Sequence, residues 1–246
     1  MTKLNVLQRI FVFKNCSKLY EMEEDFSVDI KDDDLNKLQL PSNVLQDLDE
    51  SSKHEITADL ICEFLQVAVH QILYMRSLYP KAVFVKRKKY GIPVFMSCHP
   101  QINSYIDNVI DSLKAAFAKD AIQKVVVVIT EDATIQESFV FEINHMVPSC
   151  RSDDLLIELE QSFRDAVVKL FSSNELLKIP SQNLTFEIHA HVRSSSLFDL
   201  FHSEDSAIKW VKCDAEATDP AQNLLPVKSI SHSSLLQMQL FIIKSQ

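Results

Sequence analysis

Glycine is nearly missing from this chain. One glycine, Gly91, stands in 246 residues, where ordinary usage of roughly 7% would give about 17. Phosphate-cradling loops, dinucleotide fingerprints and nucleophile elbows each need two or more glycines at fixed spacing, so all three are excluded. Cysteine is sparse and unpaired in pattern: Cys16, Cys62, Cys98, Cys150 and Cys213 are odd in number, widely spread and free of any Cys-x-x-Cys. That argues against a secreted disulfide framework or a zinc ribbon and fits a reducing compartment. No apolar run approaches the ~20 residues of a membrane helix. The segment Val6 to Phe13 is broken by Gln8 and Arg9, with no small-residue cleavage site after it. The expectation is a soluble intracellular protein.

Apolar residues at 46% and charged residues at 24% are those of an ordinary globular chain, long enough for one large domain or two small ones. The net charge of −9 is localised. Residues 21–50 carry eleven acids against Lys31 and Lys37, and the remainder balances at 23 basic and 23 acidic residues. The chain therefore reads as a neutral domain behind an acidic extension, solvated and partly disordered or a docking tail for a basic partner. Such an extension disfavours nonspecific contact with nucleic acid phosphates. The one basic run, Lys86-Arg87-Lys88-Lys89, reads as a solvated connection between strands, an import signal or a patch for an acidic partner.

Apolar periodicity predicts three helices. From Ile56 to Tyr79 the apolar residues cover most sides, which places that helix at the centre of the fold, with Pro80 ending it. Pro100 opens a second helix whose inward face is Ile102, Ile106, Val109, Ile110, Leu113 and Phe117. Ser152, Asp153 and Asp154 start a third, and Asn174 is its expected left-handed cap. Short strands are expected at Val83–Val85 and Ile92–Met96. The run Val125 to Ile129 reads as a strand buried on both faces, in a hairpin with Phe139 to Ile143 across Glu131-Asp132. Leu184 to Val192 alternates strictly against Thr185, Glu187, His189, His191 and Arg193, a strand with one wet face. From Ser194 onward the pattern weakens, with short strands at Ile208–Val211, Leu224–Ile230 and Leu235–Ile243. The expected class is a mixed α/β (α+β) domain, three helices on a mainly antiparallel sheet.

Candidate chemistry is thin. His189-x-His191 puts two imidazoles on one strand face beside Glu187, about 7 Å apart, but no third or fourth zinc ligand has suitable local spacing. Asp153-Asp154 and Glu131-Asp132 are explained by a cap and a turn, and Cys98-His99 is no dyad by adjacency alone. No catalytic set, cofactor site or metal site is expected. Tyr105 beside the second helix's core stripe and Trp210, the single tryptophan, are either core residues or the lining of a peptide groove.

Several blocks are ordered and spaced in a familiar way: Ala58 to Leu65, Val67 to His70, Lys86 to Tyr90, Pro93-Val94, Met96 to Pro100, Lys124 to Ile129 and Phe139 to Ile143. They resemble the HORMA-domain accessory subunits of translesion DNA polymerase zeta, B-type relatives of the mitotic-arrest-deficient spindle checkpoint proteins. The resemblance runs from about Glu55 to Lys244, so residues 1–54 form the extension and 55–246 the HORMA domain. It implies a non-catalytic adaptor in the nucleus and also the cytoplasm. Its C-terminal safety belt, about 194–246, would fold across a partner peptide that joins the sheet as a strand. By resemblance, Tyr105 and Trp210 hold a proline-containing peptide of the polymerase zeta catalytic subunit. Leu224, Gln239 and Phe241 engage the C-terminal domain of the deoxycytidyl-transferase scaffold polymerase, and Phe241 stands where vertebrate forms carry tyrosine. Arg164 and nearby Lys86 belong to a self-association (homodimer) surface, an AAA+ remodelling ATPase is a further partner, and DNA is met only indirectly, with no membrane.

Three other readings stand beside this one. A spindle-checkpoint clamp shares the fold, but Tyr90 with its basic run and the Met96–Pro100 block favour the polymerase branch. A DNA-end-protection adaptor would use the same groove. A metal-dependent hydrolase on Glu187, His189 and His191 predicts stoichiometric zinc in purified protein.

Overall fold

The computed structural model of the chain describes residues 9–13, 50–146, 153–178, 184–194, 208, 210–214, 224–232 and 236–245. Helix α1 (Glu50–Met75) is the axis of the core. Ala58, Ile61, Phe64, Leu65, Ala68, Val69, Ile72 and Leu73 have no exposure at all; every residue from Val67 to Leu73, including His70 and Gln71, is also buried, so this stretch of α1 is enclosed on every side. Over His54–Met75 it is long and apolar enough to cross a membrane, contrary to the expectation that no run approaches that length. Its burial marks it as the core helix.

Helix α1 stops five residues short of Pro80. The Ser77 amide donates to the Tyr74 carbonyl at 3.2 Å and the Leu78 amide to the Leu73 carbonyl at 3.1 Å, with Ser77 at φ +54°. This is a Schellman turn, stapled by buried Leu73 and Leu78; serine holds the position glycine usually takes. Helix α2 (Pro100–Ala118) starts with Pro100 as expected and ends in the same way. Asp120 at φ +49° donates to Phe117 at 2.9 Å, and Ala121 donates to Ala116 at 2.8 Å.

Helix α3 spans Asp153–Ser173; its expected cap, Ser152, lies outside the described residues. Asn174 is not a left-handed cap. The helix tightens into a short turn, Asn174–Leu176, and the Asn174 Oδ1 accepts from Arg76 Nη1 at 2.8 Å. Arg76 Nη2 also reaches Glu137 Oε1 at 2.8 Å and the Lys178 carbonyl at 2.7 Å. One buried guanidinium therefore ties the end of α1 to the sheet and to the chain leaving α3.

Strands β2 (Phe84–Lys89) and β3 (Ile92–Ser97) form a two-stranded hairpin. The basic run is thus part of β2, not a connection; the turn is Tyr90-Gly91, both at positive φ. Phe95 seats the hairpin on α1 by stacking on Tyr74, ring centres 3.7 Å apart. The remaining strands are β1 (Arg9–Phe13), β4 (Ile122–Glu131), β5 (Thr134–Met146), β6 (Leu184–Val192), β7 (Val211–Asp214), β8 (Leu224–His232) and β9 (Leu236–Lys244). They build one antiparallel sheet in the order β7-β1-β6-β4-β5-β9-β8.

Central β4 is buried on both faces from Val125 to Ile129, as its unbroken apolar run predicts. Val125, Val127 and Ile129 enter the helix-side core, while Val126 and Val128 join Val140 in a smaller far-face cluster. Phe64 binds the layers together, stacked on Phe163 of α3 at 4.4 Å and edge-on to Phe141 of β5 at 6.1 Å. Pro226 sits in β8, the outermost strand, beside a register shift, where a missing amide hydrogen is tolerated. Strand β1 was not anticipated: it comes from within the N-terminal extension, yet it is the second strand of the sheet.

Candidate functional site

One edge of the sheet has the form of a slot. Strand β1 is antiparallel to β6 on one side, Ile10 to Phe13 opposite His191 to Ile188. On the other side it is antiparallel to β7, Arg9 to Val12 opposite Asp214 to Val211. Two walls, β6 from the body of the domain and β7 from the weakly patterned C-terminal third, thus hold a strand that neither continues in sequence.

The two aromatics singled out in the sequence are built into these walls. Tyr105, half-buried on α2, meets Phe186 of β6 edge-on at 5.5 Å. Trp210 immediately precedes β7, is 2% exposed, and its Nε1 donates to Ser112 Oγ at 2.9 Å. Tyr105, Val109 and Ser112 follow each other along one side of α2, about 10 Å from first to last. Helix α2 therefore braces both walls. Trp210 is buried in the core here. Phe186 and Ser112 complete the arrangement. Neither was visible as a site residue, because an alternating strand phenylalanine and a lone helical serine have ordinary structural roles.

Leu224, Gln239 and Phe241 come together on the opposite face near the other edge. Register sets Leu224 opposite Ile243, Pro226 opposite Phe241 and Ser229 opposite Gln239, and residues directly opposite share a face. Leu224 is 44% exposed, Gln239 is exposed, and Phe241 is half-buried against the Val126–Val128–Val140 cluster.

Arg164 is exposed on α3 and Lys86 is exposed on β2. Lys86 Nζ lies 5.7 Å over the Phe95 ring, and Phe95 faces Phe171 of α3 at 6.4 Å, so both cations border one surface. Ile157, Val168 and Phe171 are about half exposed beside Arg164 on α3. Their spacing of seven, four and seven from Arg164 was legible as a second apolar stripe once the core stripe was set aside.

The histidine pair does not make an open ligand set. His189 Nε2 lies 3.0 Å from Glu187 Oε2. His191 is buried, not on a wet face, and burial first, then the Lys124 and His189 charges, lower its pKa to about 3. Among the described residues no three His, Cys, Asp or Glu side chains converge as a metal site. Cys62 is buried on α1 and its thiol is pushed up to about 12, chiefly by burial, the opposite of a reactive cysteine.

These features agree with the comparisons to known proteins. A family model described as the HORMA domain matches residues 57–197. The mitotic spindle assembly checkpoint protein MAD2B of Homo sapiens is 38% identical over 196 residues, covering 76% of this chain and 90% of its own length. The DNA polymerase zeta processivity subunit of Arabidopsis thaliana is 30% identical over 195 residues, covering 79% and 88%. Among solved structures, a chain in the crystal structure of the mitotic checkpoint complex superposes with a TM-score of 0.65 at 20% identity, over 78% of this chain and 97% of that one. With three helices and a seven-stranded sheet among the described residues and this similarity, the chain belongs to the HORMA-domain family.

Proposed function

We propose that the chain is a non-catalytic nuclear adaptor of DNA damage tolerance. It clamps a peptide of the DNA polymerase zeta catalytic subunit and bridges it to the C-terminal domain of a deoxycytidyl-transferase scaffold polymerase. The observation that carries this is the slot between β6 and β7, which holds an extended strand by main-chain pairing on both sides. Pairing of that kind gives affinity through the backbone and leaves sequence selection to side-chain pockets. The relative named as a polymerase zeta processivity subunit supplies the partner class. Residues 194–246 act as the belt: they provide β7 at one sheet edge and β8 with β9 at the other. Leu224, Gln239 and Phe241 form the scaffold-polymerase surface. Arg164 and Lys86, with the exposed apolar residues of α3, form the self-association surface, and an AAA+ remodelling ATPase is a further partner.

The test is a titration of a fluorescent proline-containing segment of the host's polymerase zeta catalytic subunit, equilibrated overnight with the full chain. Saturable binding is expected, weakened by Tyr105→Ala at least ~tenfold, about 1.4 kcal/mol. Trp210→Phe keeps the core filled while removing the Ser112 hydrogen bond, and it should weaken binding through displacement of β7. A folded wild type that binds no such segment at any concentration would overturn the reading.

A further inference from the structure

The slot is filled by the chain itself. Resting on the reading of the β6–β7 slot as the partner site, we propose that residues 9–13 are a built-in substitute ligand. Strand β1 occupies the slot in cis and holds β7 on the sheet until a partner strand displaces it.

Three observations carry this. First, the pairing is two-sided: β1 matches four residues of β6 and four of β7, and β1 is the strand neighbour of β7 in the sheet. Without β1, β6 presents a bare edge and β7 loses its ladder. Unpaired edges of this kind are templates for whatever strand is available. Second, Ile10-Phe11-Val12-Phe13 is a run of β-branched and aromatic residues, while residues 21–50 behind it carry eleven acids. The first composition favours a strand, and the second cannot bury a core of its own. The extension can lend a strand to an existing sheet but cannot build one. Third, residues 14–49 join β1 to α1, a connection that reaches more than 100 Å when extended. It keeps β1 near the slot at an effective concentration on the order of millimolar. A partner peptide therefore competes with a tethered rival, so affinity and entry rate are both lowered in the full chain.

The test compares the full-length wild type with full-length Phe11→Pro/Val12→Pro. Successive strand residues direct their amides to opposite neighbours, so the pair removes one ladder donor toward each wall. Amide hydrogen exchange of residues 188–191 and 211–214 is read in both. At least ~tenfold faster exchange in the variant supports the pairing; equal rates overturn it. The polymerase zeta segment should bind the variant at least ~tenfold more tightly, and equal affinities would overturn the autoinhibition. Protection in a monomer across protein concentrations, by sedimentation, supports occupancy in cis; protection found only in concentration-dependent oligomers overturns it in favour of exchange between copies. If the segment binds neither protein, the partner reading fails by itself. A synthetic peptide of residues 6–15 added to the variant then decides the present proposal: restored protection at 188–191 supports it, and none overturns it.

Discussion

Among the described residues, two histidines are buried where no acid offsets their charged forms. His70 is 3% exposed on α1, and its Nδ1 accepts the Ser97 amide at 3.3 Å; burial lowers its pKa to about 4. His191 is 4% exposed and, among the described residues, its Nδ1 has no partner; burial, Lys124 and His189 bring it to about 3. Both are neutral in the fold, whereas in the unfolded chain they take up protons near pH 6.5. Their contribution to stability is therefore complete above that pH and is lost as pH falls toward 4, by roughly 1.4 kcal/mol per pH unit for each. Urea unfolding at pH 7.5 and 5.0 should show this decline. His70→Asn keeps an acceptor for the Ser97 amide without titrating, so it should remove about half of the histidine part of the slope. A slope unchanged by that substitution would exclude His70 as a source. The sequence showed which strand face His191 belongs to, because alternation is local. It does not show what covers that face, and so a buried imidazole reads as a wet one.

At the scale of elements, interiors were legible and ends were not. The apolar spacing of α1, α2 and α3 and the run in β4 state their burial directly, since each pattern repeats within a few residues. The ends depend on details that spacing does not carry. Leu73 and Leu78 fix the Schellman turn of α1 with Ser77 between them, and a scan for glycine or proline passes it by. Asn174 is recruited by Arg76 from 98 residues away, beyond any local pattern. In β2, Lys86 and Lys88 are exposed while Arg87 and Lys89 are half-buried, with Lys89 Nζ 2.7 Å from Glu63 Oε1; four like charges hid that alternation. Glycine scarcity has a measurable consequence at these ends. Ser77, Asp120, Asp132 and Ala133 all hold positive φ without being glycine, each against a backbone preference of about 1–2 kcal/mol. Ser77→Gly should raise stability by up to ~1 kcal/mol, the relief being partly offset by the freedom glycine adds to the unfolded chain. Ser77→Val, β-branched at the same φ, should lower it by about 1 kcal/mol or more. Urea midpoints moving in the same direction for both would refute this account of the α1 terminus.

Across the whole molecule, the sheet separates what the sequence listed together. Strand order was the least legible level, because pairing between residues 9–13, 184–192 and 211–214 joins segments that share no local pattern. Once the order is known, the two proposed partner surfaces fall at different places. Tyr105 reaches the sheet at β6, whereas Leu224 lies on β8, four strands further on. At about 4.8 Å per strand that is roughly 19 Å, on the opposite face. Sites separated by more than ~10 Å with no shared partner usually act additively. Leu224→Ala with Gln239→Ala removes exposed side chains without opening the Val126–Val128–Val140 cluster that Phe241 covers. It should weaken binding of the scaffold polymerase's C-terminal domain by about 1 kcal/mol or more, roughly fivefold, and leave the affinity for the polymerase zeta segment within about twofold. Tyr105→Ala should do the reverse. Calorimetric titration of both ligands against each variant and their combination measures the coupling. Additive losses are what an adaptor needs, because one protein must hold two partners at once without either dictating the other's affinity. A coupling above ~1 kcal/mol between the two surfaces would mean that occupancy of the slot is transmitted across the sheet, and the protein would then be a switch and not a passive bridge.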